Sequence, residues 1–457
     1  SAALGPEETI CEFATITDLA ILPFELENIS LVDSVEGGAE LTLNFKTVYE
    51  SFIKELNFSG SCCYLKADSA LALELYWLLT TQVEEIFFED VYLGGQEKVQ
   101  GGNFSLEASM LPQVNPDFAG FHLLQDYFAF REKYLFLRFT ELPGLPYPEK
   151  TQYFSLHIRL KKRFAAGLKV DKANFCWNAV PAINLYSGSA EPILFTQKRF
   201  AYPVYPDSAR PESVVLQAVK EVSAIELSSG KHRYFKALES FQQNPETENY
   251  YQVYPQDQGL EFPHWYLHLA GKEPLEISDL SCTLSLNNGH YPKNYLQVGG
   301  LNQLSNASTK LRVQNVQRPT SFYASPSSST YTWQLIARLV LNFRSLAEPG
   351  ALAKLLRLFN WTTQPEQEKR IAGIEKVEVT AFNKIERGIF LHGILISIEL
   401  QEKNFLNFAD CFLFGKVLHH FFLSYAALNL LVETKFCCHP SQQEIFFAAE
   451  LGKKMVF

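Results

Sequence analysis

The sequence predicts an α+β protein of several domains, dominated by strands, with β-sandwich-like domains and helices concentrated toward the C-terminus. Three observations carry this expectation. Stretches rich in β-branched and aromatic residues with partial alternation recur through the first two thirds. Helical periodicity takes over in the last third. At 457 residues the chain has room for about three domains of about 150 residues each. Hydrophobic residues make up 47% and charged residues 20%, a core-forming composition rather than a disordered one.

The first third, residues 1–145, reads as a mixed β/α domain. Strand-like patterns cover residues 10–24 and 41–45. The period then changes: Leu71, Leu75, Leu78 and Leu79 fall on one helical face behind Asp68, which suits an N-cap. A strand over 85–91 follows, and Gly94-Gly95 and Gly101-Gly102 mark a loop. Prolines 143, 146 and 148 exclude a helix and a central strand, so this segment is the expected linker. Residues 146–320 form the expected β-rich central domain, with strands at 153–160 and 214–227, a turn at Ser228-Ser229-Gly230, and a further strand pair around 265–269 and 282–286. Ser and Pro crowd residues 319–329. After them, 321–457 is the expected C-terminal α/β domain, with helical patterns over 332–346 and 349–361, strands at 377–381 and 393–400, and an apolar terminal helix after Asp410 as N-cap.

That last helix is apolar nearly all round and must be buried on most sides. It is either the core helix of a large domain or is covered partly by another subunit. On the second reading Phe412, Phe414, Phe421 and Phe422 are the candidate partner interface.

Composition also excludes function classes. A net charge of −10 argues against a nucleic-acid partner, because phosphate binding needs clustered Lys and Arg. The short run Lys161-Lys162-Arg163 reads as a solvated strand end. The eight cysteines contain no CxxC pair, and Cys437-Cys438-His439 has no second ligand cluster nearby in sequence, so neither structural zinc nor a disulfide framework is expected. They read as reduced thiols of a cytosolic protein. No secretory signal opens the chain, and Lys416, His419, His420 and Asn429 interrupt its longest apolar stretch, 412–432, which argues against membrane insertion. GxxxxGK[ST], GxSxG, HExxH and GxGxxG are all missing. The expectation is a protein without enzymatic activity or cofactor. A competing reading is a strand-rich carbohydrate-binding or carbohydrate-active protein, with Trp265, Tyr266, Tyr250 and Tyr251 lining an aromatic cleft.

Six ordered blocks give a more specific expectation. Residues 8–29 read ETICEFATITDLAILPFELENI. Residues 118–139 hold Gly120, then Leu123, Leu124, Gln125, Tyr127, Phe128, Ala129, Phe130, Glu132 and Lys133. Residues 176–193 read CWNAVPAINLYSGSAEPI, and 202–207 read YPVYPD ahead of Arg210-Pro211. Cys282-Thr283 follows. Arg318-Pro319-Thr320 then precedes Trp333-Gln334-Leu335-Ile336, and residues 412–415 read FLFG ahead of Val417-Leu418 and Phe421-Phe422. In this order the blocks resemble the TssF family of bacterial type VI secretion. Departures are Arg131 where the family usually has Pro, Leu284-Ser285 after the Cys-Thr pair, and an opening that does not resemble the family's TssG-packing helical segment. The resemblance implies a structural baseplate wedge subunit. It also implies partners: TssG, a second TssF copy, TssK, TssE and the spike hub. Such a subunit would be cytoplasmic, docked at the inner membrane through the secretion complex. Its work would be mechanical, supporting the spike and starting sheath assembly.

Overall fold

A computed structural model describes residues 2–4, 8–34, 37–51, 61–88, 91–102, 119–139, 151–165, 167–196, 198–226, 229–238, 249–256, 262–270, 277–304, 311–326, 328–339, 343–348, 350–362, 364–386 and 388–453. It is strand-dominated α+β with several sheets, as the alternation patterns require. The described helices are α1 (Ser69–Thr81), α2 (Ala119–Ala129), α3 (Tyr291–Tyr295), α4 (Ser329–Leu339), α5 (Phe343–Leu346), α6 (Ala351–Phe359), α7 (Pro365–Ala372) and α8 (Phe408–Tyr425). The chain divides into two compact units. The smaller joins Ser1–Ala14 to Ala182–Leu335, and the larger joins Thr15–Pro181 to Ile336–Phe457. Boundaries at 145 and 320 do not coincide with this division, and the linker expected at 143–148 lies outside the described residues.

The reason is α8. This helix lies in the larger unit between a sheet on one side and α1 and α2 on the other, so it draws the first and last thirds of the chain into one core. Against α1 and α2, Phe412 meets Tyr76 at 6.3 Å, Phe408 meets Trp77 at 5.3 Å, Phe414 meets Tyr127 at 5.9 Å and Phe421 meets Phe121 at 5.5 Å between ring centroids. Gly120 in α2 lets the helices close: a Cβ there would lie 3.0 Å from the Ser424 Cβ and 3.1 Å from the Phe421 carbonyl oxygen. Toward the sheet, Gly415 faces the Phe436 ring, His419 stacks on Phe447 at 5.0 Å, and His419 Nδ1 lies 2.9 Å from Thr434 Oγ1. That sheet runs in the order Ile374–Glu386, Ile389–Gln401, Leu430–His439, Gln443–Leu451. So α8 is not terminal, because two strands follow it. The apolar run through 430–432 belongs to the first of them.

The start of α8 also differs from expectation. Asn407 is the N-cap, its side chain accepting from the Asp410 amide at 2.9 Å. Asp410 sits in the first turn, fully buried. It accepts from Arg131 Nη1 at 2.9 Å, from Arg370 Nε at 3.0 Å and from the Leu406 amide at 3.1 Å. Asp68 does cap α1, accepting from the Ala70 and Leu71 amides.

The rest of the larger unit holds two further sheets. One runs Phe24–Asp33, Ala39–Ser51, Thr151–Leu160, Val83–Phe88, Val91–Gly94. The other runs Phe175–Trp177, Cys62–Leu65, Phe136–Phe139, Val99–Gly101. Phe24 and Phe45 of the first meet Trp177 of the second at 5.5 and 5.1 Å, and Trp177 stacks on Phe139 at 5.3 Å. Rings of this size dominate burial energy, which explains the use of aromatics where two sheets face each other.

The smaller unit is built on an eight-stranded sheet. Its order is Tyr186–Ser189, Ile277–Asn287, Val215–Glu226, His232–Ala237, Tyr250–Gln256, His264–Ala270, Tyr202–Val204, with Ile193–Leu194 also pairing with Ile277–Asn287. The hairpin expected around Gly230 forms. Strands holding 265–269 and 282–286 share this sheet but are not neighbours. Val222, Leu267, Leu280 and Leu284 are fully buried at its core.

Replacing Asp410 by Asn leaves the buried Arg370 and the half-buried Arg131 guanidiniums short of a counter-charge. Losing one partner of such a buried network costs about 3–5 kcal/mol. Asp410→Asn should therefore lower the urea midpoint of the larger unit markedly, as followed by tryptophan fluorescence.

Candidate interaction surface

The four phenylalanines proposed as a partner interface lie inside the larger unit. Phe412, Phe414, Phe421 and Phe422 are all buried, and Phe421 and Phe422 have no exposed surface at all. Their neighbours are rings of the same unit: Tyr76 and Phe447 for Phe412, Tyr127 and Phe405 for Phe414, Phe121 and Tyr425 for Phe421, and Phe343 for Phe422. They are core, because both sides of α8 are already covered by this chain.

Uncovered aromatic and apolar groups gather instead at one edge of the eight-stranded sheet. Tyr202–Val204 is the edge strand, with Pro203, which has no N–H to donate, in its middle. It pairs with His264–Ala270, which pairs with Tyr250–Gln256. Strand alternation turns Tyr202, Val204, Leu267 and Tyr251 into the core. Pro203, His264, Tyr266, His268 and Tyr254 therefore share the outer face. Tyr254 stacks on Tyr266 at 5.9 Å, its hydroxyl lies 3.0 Å from His268 Nε2, and Tyr205 meets His264 at 6.3 Å. The aromatic cleft of the carbohydrate reading does not assemble. Tyr251 is buried and Trp265 packs on the core, while Tyr250 and Tyr266 belong to the opposite face.

Two of the sequence blocks meet here. AEPI and YPVYPD run beside each other, with Ala190 bridged to Pro206, the Glu191 amide donating to the Tyr205 carbonyl at 2.9 Å and the Asp207 amide to the Ser189 carbonyl at 2.9 Å. This bridge ties together the chain on either side of Phe195, Thr196 and residues 198–201. Phe195 turns inward onto Tyr202 at 5.4 Å. Phe200 turns outward and is 95% exposed, with Leu194 67% and Tyr205 46% exposed nearby. The cleft between loop and bridge encloses about 440 Å³ and is lined by Glu191, Ile193, Leu194, Lys198, Arg199 and Tyr205 among others. Cations, one carboxylate, phenols and uncovered apolar groups suit recognition of a protein surface. The blocks themselves were visible in the sequence. Phe200 was missed, though an aromatic directly after Lys198-Arg199 and before a proline-stiffened strand was the available signal. A second uncovered pair, Ile385 and Phe390, faces across the distal end of the Ile374–Glu386/Ile389–Gln401 hairpin.

Titratable groups elsewhere are shaped by burial. Burial pushes the Cys11 and Cys62 thiols up to about 11 and Cys282 to about 12, which keeps them protonated and unreactive. It pushes Lys416 down to about 8 and His420 well below its usual value. Glu375, Glu399 and His439 bring ligand-type atoms within 4.8 Å of one another. Cys437 Sγ donates to Gln442 Oε1, leaving Gln442 Nε2 to donate to His439 Nδ1. The ring proton then sits on Nε2, 3.5 Å from Glu399, which makes this a histidine–carboxylate contact rather than a ready set of metal donors. Among the described residues, no helix is long and apolar enough to cross a membrane.

A family model described as "Type VI secretion system, TssF" matches residues 1–454. The chain belongs to the TssF family. The curated type VI secretion system component TssF1 of Pseudomonas aeruginosa is 24% identical, over 94% of this chain and 77% of that protein. A chain of the TssK-TssF-TssG baseplate subcomplex solved by cryo-electron microscopy superposes with a TM-score of 0.84 at 21% identity, covering 100% of this chain and 87% of its own length. A chain of the type VI secretion system baseplate complex gives 0.65 at 19% identity, covering 100% and 81%. In this TssF-family chain, core and surface aromatics separate experimentally. Phe421→Ala should cost about 3–5 kcal/mol of stability, whereas Phe200→Ala should stay within about 0.5 kcal/mol of the parent, both read by thermal unfolding.

Proposed function

We propose that this chain is a structural subunit of a type VI secretion baseplate, assembling with TssG and TssK. The family match across residues 1–454 carries the reading, and the superposition on a chain of a TssK-TssF-TssG subcomplex supports it. The physical features agree with a mechanical part. Two compact units each have their own core, and the larger is braced by a helix covered on most sides. Uncovered aromatic groups lie on sheet edges and loops, where a neighbouring subunit can reach them. No step of the proposed work is catalytic: the subunit holds neighbours in place, supports the spike and starts the sheath. Contacts with TssE, with a second copy of the chain and with the spike hub belong to the same proposal, as does a cytoplasmic position at the inner membrane.

Co-expression of the full-length protein with TssG and TssK of the same system tests this directly. The expected result is one co-purifying species by size-exclusion chromatography with light scattering. Three stable monodisperse proteins that elute apart would overturn it.

A further inference from the structure

The edge of the eight-stranded sheet combines three properties that rarely meet by accident on an acidic protein. Single exposed apolar residues are ordinary. Here Leu194 and Tyr205 are uncovered at one cleft, and Phe200, next in sequence to the cleft-lining Arg199, is 95% exposed. Lys198 and Arg199 stand directly beside Phe200, although the chain as a whole carries a net charge of −10. The segment is tied down on either side of these residues, by the Ala190–Pro206 bridge and by Phe195 on Tyr202, which limits the chain entropy lost on docking.

We propose that this loop is a docking knob for a protein neighbour whose surface carries an apolar pocket rimmed by carboxylates. Phe200 fills the pocket, and Lys198 and Arg199 pair with the rim. The outer face through Tyr205, Tyr266 and Tyr254 supplies the flanking contact. An aromatic anchor beside an arginine is the composition of an interface hot spot. The positive lip makes an acidic partner the complementary one and sets both encounter rate and salt dependence. Two cations in a strongly acidic chain are too few to hold a nucleic acid. Among the described lining residues of the cleft, Glu191 is outnumbered by Lys198 and Arg199, which leaves the cleft net positive.

This inference rests on the baseplate reading and names one of its contact surfaces. The test measures binding of the full-length chain to the purified TssG–TssK subcomplex across a salt series. Three variants accompany the parent: Phe200→Ala, the double variant Lys198→Glu/Arg199→Glu, and Phe200→Trp. All three should melt with the parent, because the side chains project from a surface loop. Phe200→Ala should weaken binding about tenfold or more, and Phe200→Trp should retain it. The charge reversal should weaken binding and flatten its salt dependence. If the parent binds while Phe200→Ala and the double variant bind within about twofold of it at the same salt slope, the knob is refuted and the baseplate reading stands. If the parent itself does not bind, both fail together.

Discussion

A helix that is apolar over most of its circumference, with only Lys416, His420 and Ser424 in a half-buried stripe, has to be covered on most sides, and that requirement organises the larger unit. α8 can satisfy it only between a sheet and two other helices. The sheet comes from its own end of the chain, but α1 and α2 come from residues more than 270 positions earlier. Both units are therefore discontinuous in sequence: Ala182–Leu335 of the smaller separates the two segments of the larger, and Ser1–Ala14 of the smaller precedes them. Asp410 locks the same junction electrostatically. Its carboxylate joins the first turn of α8 to Arg131, just after α2, and to Arg370 in α7. Two guanidiniums around one buried carboxylate define a single register for three separate segments.

Much of this was legible from periodicity. The helix behind Asp68, the strand at 153–160, the hairpin at Gly230 and the strand-dominated class all follow from local pattern, because each is decided by residues close together in the chain. What failed was non-local. An all-apolar helix reads the same whether its cover comes from its own chain or a partner, so Phe412, Phe414, Phe421 and Phe422 looked like a possible interface until α1 and α2 were seen against them. Boundaries read along the chain, at 145 and 320, likewise do not coincide with the two units, because contacts distant in sequence decide the units. Asp410 looked like an N-cap because capping and first-turn acids share a residue type, and only the geometry assigns the cap to Asn407. The aromatic set Tyr250, Tyr251, Trp265 and Tyr266 was split by strand alternation, which sends neighbours in sequence to opposite faces.

The surface that emerged has a different origin. AEPI and YPVYPD were readable as rigid, fold-setting segments, and they are: they bridge to each other and fix the sheet edge. Their rigidity also makes the short loop between them useful, because it presents Phe200 to solvent from a fixed base. On the docking proposal, fold-setting and contact-making are one device. That division of labour, with rings inside α8 for cohesion and rings at the sheet edge for contact, is what a subunit that works by holding its neighbours requires.

Hydrogen–deuterium exchange of the chain alone and in its complex with TssG and TssK tests this division most directly. The account predicts that the amides of α8 are already among the slowest to exchange in the free chain and do not change on assembly. New protection should appear instead around residues 193–205 and 264–270 at the sheet edge. Protection gained along α8, with the sheet edge unchanged, would contradict it.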